Sequence, residues 1–114
     1  MDTLLDRFLR YVKIDTQANE ASTAYPSTPG QLTLGKMLAG ELHAMGLVDV
    51  HQDEHGIVMA TIPGTLAGAP TIAFIAHVDT SPETTGKDVK PVIHGTSPGM
   101  FSRTWGHVTR VHRR

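Results

Sequence analysis

The chain of 114 residues contains no cysteine. That excludes a disulfide framework, a thiol nucleophile and any Cys-ligated zinc, so metal chemistry here has to use His and carboxylates. Long apolar runs are also missing: none approaches the ~18 residues that span a bilayer, so neither a membrane span nor a membrane partner is expected. Basic residues are absent from the opening Met1-Asp2-Thr3-Leu4-Leu5-Asp6. A secretory signal needs them there, so the expected location is cytoplasmic. With 39% hydrophobic and 18% charged residues the composition is that of a globular protein, and the length allows at most one ordinary domain.

A second scarcity is local. Residues 1–94 hold all 11 acids, against Arg7, Arg10, Lys13, Lys36, Lys87 and Lys90. Residues 95–114 hold Arg103, Arg110, Arg113 and Arg114 and no acid, and they lack Leu, Ile, Ala and Lys entirely. The net charge of −1 therefore hides an acidic body and a basic tail. This composition break divides the chain into 1–94 and 95–114.

Leu4, Leu5, Phe8, Leu9 and Val12 recur at three- and four-residue spacings, which predicts an amphipathic helix over 3–14. Residues 15–30, with Pro26, Pro29 and Gly30, read as a loop. Thr28, Pro29 and Gln31 then fit N-cap, N1 and N3 of a second helix, with the glutamine able to reach back to the cap. Its stripe is Leu34, Leu38, Leu42 and Met45, and Gly46 stands where a left-handed residue would end it. Beyond Gly46 the period falls to two: Val48 and Val50 alternate with Asp49 and His51. Ile57–Ile62 is a second strand candidate. Thr71-Ile72-Ala73-Phe74-Ile75-Ala76 is apolar without alternation, as expected of a central strand covered on both faces. Two helices followed by strands predict a layered α/β domain.

That last run leads into His77-Val78-Asp79-Thr80. Ligands of open α/β sheets bind beyond the carboxyl ends of the strands. Two-residue spacing puts His77 and Asp79 on one side of an extended chain. A metal-bound imidazole needs its second nitrogen held by an acceptor, so the pair suits a zinc ligand and its orienting carboxylate. A strand-end histidine that merely bonds a nearby acid is the plainer reading of the same spacing.

The wider segment His77-Val78-Asp79-Thr80-Ser81-Pro82-Glu83, with Gly86-Lys87 and Pro91, resembles the region around the first metal-binding histidine of the peptidase T family. Upstream, Leu4–Leu9 with Tyr11-Val12, Asp15-Thr16-Gln17, Pro26-Ser27-Thr28, Gly30-Gln31, Met45-Gly46-Leu47 and Met59-Ala60-Thr61 fit the same frame. The resemblance covers residues 1–94. It implies the N-terminal part of a zinc-exopeptidase catalytic domain, incomplete here, with two helices and a mostly central β-sheet. It further implies a two-zinc aminopeptidase that removes the N-terminal residue of tripeptides. His77 would ligate one zinc, and Asp79 would hydrogen-bond and tune that imidazole in the catalytic machinery. The family's remaining ligands and its general base would lie beyond the region of resemblance, so the chain alone is expected to be inactive.

Three other motifs carry less. His51-Gln52-Asp53-Glu54-His55 matches an inverted zinc-protease pattern, but that chemistry needs a helix, and the context here is a strand end and a polar turn. Ser81 lacks the surroundings of a nucleophile, and Ser-Pro reads as a loop. The tail interleaves arginines with Phe101 and Trp105, a composition that can bind single-stranded nucleic acid. A pI near 6.6 speaks against a dedicated binder, so no nucleic-acid partner is expected. An altered reading frame or early end would account for the tail, which is expected to be poorly ordered or docked without a regular element, although Thr104-Trp105 and Val108–Val111 could form a short strand. The rival reading is a non-catalytic fragment or small interaction domain whose basic tail binds an acidic partner. Oligomeric state is left open.

Overall fold

The computed structural model describes residues 2–94 and 110–112. Helix α1 spans Leu4–Tyr11, shorter than the periodicity suggested. Thr3 caps it: its hydroxyl accepts from the Asp6 N–H at 3.1 Å, while Asp6 accepts from the Thr3 N–H at 2.9 Å. This reciprocal box satisfies two donors that the first turn leaves free. The expected apolar face is covered only in part. Leu5, Leu9 and Val12 are half-buried, whereas Leu4 and Phe8 face solvent.

Helix α2 spans Pro29–Ala44, with Thr28 as N-cap and Pro29 in the first turn, as the sequence indicates. The cap is not made as expected, however. The Thr28 hydroxyl donates to the Gln17 carbonyl at 3.0 Å, and the Gln31 amide donates to Ser27 Oγ at 3.1 Å and to the Thr16 carbonyl at 3.4 Å. Both side chains are used to hold the preceding loop, which competes with capping for the same polar atoms. At the other end the Gly46 N–H donates to His43 and the Leu47 N–H to Leu42, with Gly46 at φ +82°. That is the double-bonded, left-handed helix stop predicted for this glycine.

Strands β1 (Val48–Gln52) and β2 (Val58–Thr61) pair antiparallel, His51 opposite Met59 and Gln52 opposite Val58. The register slips between Val48 and His51, where Asp49 takes φ +53°. α2 packs on this pair. Gly35 makes the approach close: a Cβ there would stand 2.2 Å from Gln52 Nε2 and 3.2 Å from a Val58 methyl. Gln52 Nε2 donates to the Leu32 carbonyl at 3.2 Å, tying hairpin to helix. Leu34 is the buried apolar residue of this layer among the described residues. Two strands and one helix leave little apolar surface covered, which explains why so few side chains are buried.

The central strand expected over Thr71–Ala76 is not formed. Residues 71–79 belong to no helix or strand, and Ile72, Phe74 and Ile75 are almost fully exposed. A strand exists only as part of a ladder, and a run apolar on both faces needs cover on both. No described segment supplies either, so the mostly central sheet is replaced by two-stranded antiparallel pairs. The second pair joins β3 (Val92–His94) to β4 (Arg110–His112), with Ile93 opposite Val111. Residues 110–112 therefore do form a regular element, at the place where a short strand was allowed. The rest of the tail lies outside the described residues. No described helix is long and apolar enough to cross a membrane.

Candidate functional site

The site is built from the loop after α1 and the segment after the exposed apolar run. Thr16 and Thr80 meet main chain to main chain: the Thr80 N–H donates to the Thr16 carbonyl at 3.2 Å, and the Ala18 N–H donates to the Thr80 carbonyl at 2.9 Å. The contact is an isolated parallel bridge centred on Gln17 and Thr80. The Gln17 amide adds a bond to the Pro82 carbonyl at 2.7 Å. Two glycines make room for this knot. A Cβ on Gly30 would overlap the Asp15 carbonyl at 1.6 Å, and one on Gly86 would stand 2.5 Å from Asp15 Oδ1. Thr16, Gln31 and Gly86 are buried here. Thr80 Oγ1 is buried too, with no hydrogen-bond partner among the described residues.

The knot pins the chain one residue beyond Asp79. His77 Nδ1 lies 2.9 Å from Asp79 Oδ1, so the two side chains share one side as their spacing predicts. An ionised carboxylate only accepts, so Nδ1 carries the proton and Nε2 keeps its lone pair in the neutral ring. The imidazole is 84% exposed, which leaves Nε2 open to solvent. The fold thus brings His77 and Asp79 together. The end of a central strand, where His77 was expected, is absent, because the strand itself is unpaired.

Other candidates fall as the sequence suggests. His51 stands on β1 and its Nδ1 lies 2.9 Å from the Asp49 carbonyl. Asp53 accepts from the main-chain N–H groups of His55 and Ile57 at 3.0 and 2.8 Å. This is a carboxylate-stabilised turn without a helix, so the inverted zinc pattern has no single face on which to gather its histidines. Ser81 accepts from the Glu83 N–H at 3.2 Å, a loop-forming role. Among the described residues no group of three or more His, Cys, Asp or Glu could hold a metal.

A second polar cluster lies between the helices. Glu41 accepts from Arg10 Nη2 at 2.6 Å and from the Tyr11 hydroxyl. The Arg10 bond, then the Tyr11 bond, hold the Glu41 carboxyl below its ordinary range. Burial and then the Glu41 bond push the Tyr11 phenol up. This cluster joins α1 to α2 and is remote in sequence from the His77 pair.

The loop residues Asp15, Thr16 and Gln17 were legible only through family resemblance. A two-residue bridge leaves no period in sequence, and the close approach at Gly30 and Gly86 emerges only in the structure.

Compared with family models, the chain matches none. Compared with known proteins, its relatives are peptidases. They are the peptidase T proteins: that of Bacillus thuringiensis (strain Al Hakam) is 52% identical over 99 residues, and that of Bacillus cereus (strain B4264) 53% identical over 97. Peptidase T of Bacillus anthracis (strain CDC 684 / NRRL 3495) is 52% identical over 99 residues. These matches cover 84–86% of this chain and 24% of each relative. The chain thus resembles peptidase T over most of its own length and spans about a quarter of the length of those relatives, consistent with an N-terminal portion.

Proposed function

We propose that this chain is the part of a cytoplasmic, zinc-dependent tripeptide aminopeptidase that carries the first metal-binding histidine. The observation that supports the reading most is the His77–Asp79 pair, which presents an imidazole lone pair to solvent with the opposite ring nitrogen held. His77 would offer Nε2 to a zinc ion. Asp79 would keep the proton on Nδ1, fix the ring's direction and make Nε2 a better donor. The Gln17–Thr80 bridge would position the pair. Bound zinc would supply a lowered pKa for a held water and polarisation of a substrate carbonyl.

The donor set suits one ligand of such a site and stops there. A catalytic zinc takes three protein ligands, and no described group reaches that number. The chain alone should therefore bind zinc weakly and leave tripeptides intact. Dialysis against zinc followed by metal analysis, with a tripeptide assay on wild type and His77→Ala, tests this. Tight stoichiometric zinc, or turnover that His77→Ala abolishes, would contradict the incomplete site. The rival reading, a basic tail that binds an acidic partner, rests on residues mostly outside those described, and no observation favours it.

A further inference from the structure

Among the described residues, no main-chain hydrogen bond involves 71–79. The main chain that carries His77 and Asp79 is therefore anchored from its C-terminal side, at Thr80. The Thr80 N–H and carbonyl lie along one stretch of extended chain. Their bonds to the Thr16 carbonyl and the Ala18 N–H fix where that chain passes but act as a hinge, which leaves rocking about the line through both. A third bond off that line removes the rocking. The chain turns at Pro82 and Glu83, and the Gln17 amide meets the Pro82 carbonyl there at 2.7 Å. Proline has no N–H, so this carbonyl is the main-chain polar group that position offers.

Gln17 is itself held at its base. Its N–H donates to Asp15 Oδ1 at 3.1 Å, and its carbonyl accepts from the Thr28 hydroxyl at 3.0 Å. A glutamine side chain loses rotamer freedom when ordered, and a fixed base limits the loss to the side chain alone.

We infer that Gln17 is a positioning residue for the His77–Asp79 pair: its amide latches the turn after Thr80 and so sets the direction of the imidazole. The inference rests on the reading of His77 as a zinc donor, a group whose direction has to be held within about 10–20°. Gln17 acts through the Pro82 carbonyl and has no hydrogen bond to His77 or Asp79.

Side-chain nitrogen NMR of His77 in the metal-free full chain tests the latch, with amide hydrogen exchange at Ala18 and Thr80 reporting on the bridge. Gln17→Met keeps the length and removes the donor. Gln17→Asn keeps the donor and is one methylene too short. Both should move the His77 nitrogen shifts from the wild-type values toward those of Asp79→Ala, while Ala18 and Thr80 exchange as in the wild type. Zinc affinity, measured by competition with a chelator, should fall in the same order as the shifts move. Wild-type His77 shifts in both variants would overturn the inference. So would wild-type shifts in Gln17→Met alone, which would make Gln17 a space-filler. A shift that comes only with faster exchange at Ala18 and Thr80 would overturn it too, since Gln17 would then serve the loop's stability. The metal-free shifts keep the latch separate from the zinc reading: a wild type that binds no zinc at His77, with both variants shifted, sinks that reading and leaves the latch standing.

Discussion

The carbonyl oxygen of Asp15 occupies the space beside Gly30, 1.6 Å from where a Cβ would stand. That contact lets the loop after α1 lie against the first turn of α2 and reach Thr80. Gly40, on the same helix, has open space around it. The two glycines should therefore respond to alanine with opposite sign. Gly30→Ala should cost about 1–3 kcal/mol by overpacking. Gly40→Ala should stabilise by about 0.5–1 kcal/mol through helix propensity. Denaturant unfolding of the two variants checks the sign.

Thr80 Oγ1 is buried without a partner. An unsatisfied buried hydroxyl costs about 1–3 kcal/mol, and valine keeps the shape without the polar atom. Thr80→Val should be neutral or stabilising, while Gln31, whose side-chain amide donates to Ser27 and Thr16, should not tolerate the equivalent loss. Melting temperatures of Thr80→Val and Gln31→Leu, measured side by side, distinguish the two cases.

The link between α1 and α2 should depend on pH. Glu41 titrates below its ordinary value of 4.5 in the folded chain because Arg10 and Tyr11 bond its carboxylate. Its contribution is complete above pH 4.5 and is lost as pH falls through the lowered folded value. Tyr11 is raised above 10.0, so its contribution is complete below that and is lost as pH rises through the raised value. Stability measured from pH 7 down to pH 3 should fall more steeply in the wild type than in Glu41→Gln. Identical acid limbs would show that this cluster does not couple to folding.

Local elements were legible because local signals specify them. Pro29 and Gly46 mark the ends of α2 through the main-chain groups left free there, and the structure uses both. β1 and β2 followed from a change of period. Thr71–Ala76 was legible as a strand sequence but not as an unpaired one, because a strand's state depends on partners that its own residues do not name. The His77–Asp79 contact followed from spacing alone, whereas the bridge that pins it depends on Gly30, Gly86 and Thr16, which no period connects.

Asp79→Asn tests the orienting role. A carboxamide can donate to Nδ1 as well as accept from it, so the ring would no longer be held with its proton there. Replacing such an outer partner typically lowers metal affinity 10–100-fold. Competition against a chromophoric zinc chelator should show the weak wild-type affinity falling toward that of His77→Ala. Equal affinity for wild type and Asp79→Asn would remove Asp79 from the account.

The central claim is that Asp79 presents His77 Nε2 as a zinc donor, and side-chain nitrogen NMR of the 7 histidines tests it most directly. In its neutral form the His77 ring should carry its proton on Nδ1, held by Asp79. Zinc added in small steps should move His77 Nε2 before the nitrogens of His43, His51 or His55. A His77 ring protonated on Nε2, or a zinc titration that shifts those histidines first, would contradict the account.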